Sequence, residues 1–96
     1  MKATLSRSIV ARLLAIALLA LSAGRALAAD SEQQQRDLFR QGAKLWPVYC
    51  AQCHNARPGS EFSPVQWNVI MMHMRTQANL PANDARALTE YLKRSH

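Results

Sequence analysis

Cys50-Ala51-Gln52-Cys53-His54 contains the only two cysteines of a 96-residue chain, and its spacing governs how the rest is read. In a protein that leaves the cytoplasm, C-x-x-C-H is a covalent attachment site for c-type haem. The spacing has a mechanical reason. On a helical turn, residues three and four apart share a face, so two thiols reach the two vinyl edges of one porphyrin while His54 points at the iron. Other chemistries use parts of the same pattern. A Cys50–Cys53 disulfide would be the default in an oxidising compartment without haem. A thioredoxin-like dithiol shares C-x-x-C but sits beside a βαβ pattern, which this chain lacks. A structural zinc needs four ligands, and outside the motif only His73 and His96 remain, with no second paired motif.

Working outward toward the N-terminus, residues 1–28 read as a cleavable export signal. Lys2, Arg7 and Arg12 form a positive leading region, Leu13 to Leu21 is an uninterrupted apolar run, and Ala26-Leu27-Ala28 offers small residues where a signal peptidase inspects them. Cleavage is expected after Ala28, leaving residues 29–96 as a single domain. The apolar run is too short to cross a hydrocarbon core of roughly 30 Å as a helix, and neither a twin-arginine pair nor a lipid-anchor cysteine follows it. The expectation is a soluble, exported, periplasmic chain with no stable membrane insertion after cleavage.

That cleavage changes the charge. Lys2, Arg7, Arg12 and Arg25 leave with the signal and no acid does, so a formal +6 falls to +2. The high pI therefore belongs largely to the signal, and a nucleic-acid partner loses its main support. The 68 residues that remain of the 96 are few. A hydrophobic core of that size rarely supplies more than about 3 to 5 kcal/mol, and such domains add a metal, a disulfide or another staple. With both cysteines committed to the macrocycle, the haem is the staple.

The rest of residues 29–96 reads as all-α, with three helices and short loops. The first is expected from a Ser31/Gln34 S-x-x-Q capping box to near Trp46, with Leu38, Phe39, Leu45 and Trp46 along its inner side and Pro47 kinking or ending it. The second starts at Ser63, a good N-cap, followed by Pro64 at the first helical position and Gln66 completing another box. Trp67, Ile70, Met71 and Met74 then recur at one face of a 3.6-residue period, and Asn79-Leu80-Pro81 ends the segment. The third runs from about Pro81 to Arg94 with Ala85, Leu88 and Leu92 on one stripe. Asp84 near its start and Lys93 and Arg94 at its end complement the helix dipole.

With these elements in place, the chain resembles a small monohaem cytochrome c of the class I type. In that family a glycine and an aromatic residue precede the haem motif by eight and four positions; Gly42 and Trp46 stand there. The family's last helix ends in a Tyr-Leu-Lys-like run, matched by Tyr91, Leu92 and Lys93. The resemblance implies that the first and last helices cross closely at Gly42, which accounts for a glycine inside a helix despite a cost of about 1 kcal/mol. It also implies that a proline carbonyl, from Pro58 or Pro64, fixes the His54 tautomer. The segment Trp67 to Arg75 is similar to a shortened subgroup found in or beside periplasmic oxidoreductases such as sulfite dehydrogenase, where a tryptophan is followed seven residues later by methionine and arginine.

The candidates for the second axial ligand are Met71, Met72, Met74 and His73. Met71 and Met74 share the Trp67–Ile70 face, Met72 points elsewhere, and His73 projects about 100° from Met74. Met74 is the preferred ligand, with Met71, His73 and an open position as alternatives, and Trp67 is expected to pack on the haem. His and Met ligation raises a haem's reduction potential. The expected activity is one-electron transfer between redox partner proteins, free or as an oxidoreductase subunit, with no substrate chemistry and hence no catalytic residue. A haem enzyme or gas sensor with a weak or open sixth position is the alternative.

Overall fold

The computed structural model describes residues 2–95, with side chains from Ser6 onward. Its elements are α1 (Lys2–Tyr49), a 3-10 turn at Gly59–Glu61, α2 (Pro64–Gln77) and α3 (Ala82–Arg94). No strand occurs among the described residues, in accord with an all-α class. Two compact units divide the chain, Met1–Gln33 and Gln34–His96.

The first unit is helical through its described residues and exposes Leu13, Leu14, Ile16, Leu18, Leu19 and Leu21. An 18-residue window of α1 has a mean hydropathy of 1.8, so the helix is long and apolar enough to cross a membrane, a test that an export signal also passes. Contrary to expectation, no helix starts at Ser31. The Ser31 hydroxyl donates to the Ala28 carbonyl at 2.8 Å from within α1. No proline and no glycine stands between Ala26 and Gln41, so nothing in the backbone interrupts the ladder for a cap to restart it. Pro47 likewise lies inside α1, which continues to Tyr49.

The second unit holds the core. Trp67, Met71, Leu80, Ala85, Leu88 and Leu92 are buried together, and Leu45, Trp46, Phe62 and Tyr91 pack against them. Leu88 and Leu92 are 0% and 2% exposed, and each contributes about 1.5–3 kcal/mol by leaving water. Gly42 is buried where α1 meets α3: a Cβ built there would collide with the Ala87 carbonyl and the Tyr91 Cβ. Around that contact, Tyr91 stacks obliquely on Phe39 and Trp46, with ring centroids 5.4 and 6.1 Å apart. The crossing implied by the resemblance is present, and its reason is steric.

Local signals set α2. Ser63 accepts from the Gln66 N–H and its own N–H donates to the Gln66 side chain, a complete capping box with Pro64 at the first position. Phe62, just before the cap, meets Trp67 edge-on at 5.2 Å, the hydrophobic staple that fixes how the chain enters a helix. At the other end Asn79 adopts φ 50°. Leu80 N–H donates to the Arg75 carbonyl at 2.9 Å and Asn79 N–H to that of Thr76 at 3.3 Å. This is a Schellman stop, and it turns Leu80 into the core.

Candidate cofactor site

The C-x-x-C-H segment begins one residue past α1. Cys50 N–H still donates to the Trp46 carbonyl at 3.0 Å, but residues 51–54 form a turn and bends rather than a helical turn. Pro47 removes one ladder donor close to the helix end, and the motif follows as an irregular loop. Both thiols are free; Cys50 is half-buried and Cys53 exposed. Burial pushes the Cys50 thiol above its ordinary range.

His54 is exposed, and its Nδ1 lies 3.0 Å from the Asn55 carbonyl. A carbonyl oxygen only accepts, so Nδ1 carries the proton and donates. A ring protonated at Nδ1 is the tautomer that can offer its Nε2 lone pair to a metal. The carbonyl that sets it is not a proline's, as the resemblance implied. The Pro58 carbonyl instead accepts from Glu61 N–H at 3.1 Å, and Pro64 opens α2. The nearest acceptor along the chain has taken the role, because the backbone bends through residues 52–54.

Beside the motif lies a cavity of about 320 Å³ lined by Tyr49, Cys50, His54, Arg57, Phe62, Trp67, Ile70, Met71, Met74, Ala78, Leu80 and Leu92. An adjoining recess of about 290 Å³ shares Tyr49, Cys50, His54, Met74 and Ala78 and adds Cys53 and Gln77. The two share one wall and form a groove that is mostly apolar, with Tyr49, Arg57, Gln77 and the motif as its polar members. The cavity's volume lies at the lower end of the range for small-molecule sites, and its lining is mostly apolar.

Of the candidates for a second axial ligand, Met71 and Met74 line this groove. Met71 is 5% exposed and wedged in the core, whereas Met74 is half-buried and also borders the recess that holds Cys53. Met72 is 76% exposed, and His73 is exposed without lining the groove. Trp67 lies on the groove wall, 3% exposed, its indole N–H donating to the Gly59 carbonyl at 2.7 Å. Among the described residues no three His, Cys, Asp or Glu side chains gather as a metal cluster. A haem iron asks for less, one or two axial donors, and one imidazole and two thioethers, those of Met71 and Met74, border the same groove.

The sequence reading missed several lining residues. Phe62 carried a signal in its place before the cap, and Tyr49 in its place before Cys50. Arg57 is the one Arg or Lys that lines the groove among the described residues, paired with Glu61 at 2.8 Å, and its carbonyl accepts from the Trp46 indole N–H at 3.0 Å. Comparisons with protein families, with curated proteins and with solved structures return no match.

Proposed function

We propose that the exported chain carries one covalently attached haem c and acts as a one-electron carrier, or as the small cytochrome subunit of a periplasmic oxidoreductase. One observation carries this reading: a C-x-x-C-H segment with both thiols free borders an apolar groove that also takes in Met74. Cys50 and Cys53 are the thioether donors, His54 Nε2 and the Met74 sulfur the iron ligands. When bound, the haem supplies a one-electron couple whose potential is raised by His and Met ligation.

The chain's own residues do the remaining work. The Asn55 carbonyl orients the imidazole. Trp67, Phe62 and Ile70 give the groove its apolar wall, and Arg57, held by Glu61, lines it as well. Covalent attachment holds the cofactor through repeated weak docking with redox partners, whose interfaces are small. No substrate bond is made or broken, and no nucleic acid is involved. Residues 1–28 serve as the export signal and are removed.

Mass spectrometry and absorption spectra of protein matured in a periplasm test the reading. The expected product has lost residues 1–28, gained the mass of one haem, and shows a methionine–iron charge-transfer band that disappears in Met74→Ala. A bare peptide mass, with the sulfurs free or joined to each other, overturns it.

A further inference from the structure

Asp84 stands in the first turn of α3, outside the groove, yet its carboxylate is tied to the groove's wall. Its Oδ2 accepts from the Tyr49 hydroxyl at 3.1 Å, across 35 residues of chain. Its Oδ1 accepts from Gln41 Nε2 at 3.3 Å. Both partners are neutral, so the negative charge of Asp84 is not cancelled there, unlike that of Glu61, which Arg57 balances. Tyr49 borders both parts of the groove and immediately precedes the thiol donor Cys50.

We propose that Asp84 is a positioning residue that acts through Tyr49, holding the phenol ring on the groove wall beside Cys50 and making that ring electron-rich toward the redox centre. The inference rests on the haem reading above. A hydrogen bond donated to a carboxylate is more strongly polarised than one between neutral groups, and the polarisation passes along to the donor's own π-system. The proton is drawn toward Asp84, leaving more electron density on the phenol oxygen and ring. An electron-rich wall favours the more positively charged, oxidised state of the centre and lowers its midpoint potential. The direction of the Tyr49 pKa fits this donor role: the bond to Asp84 first, then burial and the carboxylate's charge, raise it and keep the phenol protonated.

Spectroelectrochemical titration of the periplasmically matured holoprotein tests the proposal, using Asp84→Asn, Tyr49→Phe, the double variant and Asp84→Glu. Asp84→Asn and Tyr49→Phe are each expected to raise the midpoint potential. The double variant should raise it no further than the larger single change, and Asp84→Glu, which keeps the acceptor, should stay close to the unmodified protein. If Asp84→Asn does not accumulate, Tyr49→Phe carries the test alone, since it removes the hydroxyl with no change of charge. Haem-bearing variants with unchanged potentials overturn the proposal while leaving the haem reading intact. Additive shifts overturn it as well, because they mean that the carboxylate acts directly and not through the phenol. A haem-free product in every variant overturns the haem reading and this inference together.

Discussion

Gly42 and Ala87 back onto each other so closely that a methyl group on Gly42 would occupy the space of the Ala87 carbonyl. Main chain therefore touches main chain where α1 crosses α3, and the aromatic rings of Phe39, Trp46 and Tyr91 close around that contact. The crossing brings the end of α1, and with it the cysteine motif, onto the body formed by α2 and α3.

Gly42→Ala is expected to destabilise this domain despite the better helix propensity of alanine. The propensity gain is about 1 kcal/mol; overpacking a close contact costs about 1 to 3 kcal/mol. Because the obstruction is backbone and not a flexible side chain, the upper end applies. Chemical denaturation of the holoprotein checks it, and a midpoint at or above that of the unmodified chain contradicts the steric account.

Trp67→Phe keeps most of the apolar bulk in the core but removes the donor to the Gly59 carbonyl. Gly59 is buried, and leaving its acceptor unpaired costs about 1–3 kcal/mol. A loss in that range in the same denaturation assay, with the haem still attached, is the expected outcome.

Met71→Ala and Met74→Ala should separate packing from ligation. Met71 is core, and its truncation is expected to cost about 2–5 kcal/mol while the methionine–iron band persists. Met74 is half-buried; its loss should abolish the band and lower the reduction potential with a smaller effect on stability. The reverse pattern would assign the ligand to Met71.

Tyr49 predicts an alkaline limit. Its pKa is raised in the fold by the bond to Asp84, by burial and by the carboxylate's charge, above an ordinary value of about 10. A group raised on folding contributes stability that is complete below its unfolded value and is lost as pH climbs through the folded one. Thermal melts of the unmodified protein should therefore fall more steeply above about pH 10 than those of Tyr49→Phe. Parallel curves for the two proteins would rule this out.

Local chemistry in the sequence was enough to place α2 and α3. Ser63, Pro64 and Gln66 form a cap whose partners lie within three residues of one another, and the Asn79–Pro81 stop is equally local, so their ends are legible without knowing what they pack against. The same logic failed at Ser31. A capping box is a start signal only where the preceding backbone leaves the helix, and the alanine-rich stretch before Ser31 does not. The carbonyl paired with His54 was also illegible, because any acceptor within reach serves and only the bends through residues 52–54 make Asn55 the one within reach.

By itself the sequence determined which atoms are available for chemistry: two thiols and an imidazole at fixed spacing, methionines on a helix face, and an apolar leading segment ahead of a small domain. These are properties of residues near one another in the chain, and covalent geometry dictates them. Tertiary structure alone decided that Met74 shares a groove with His54, that Gly42 fits against Ala87, and that Asp84 reaches Tyr49 across 35 residues. Such contacts depend on how side chains fill a common volume, which no local pattern encodes.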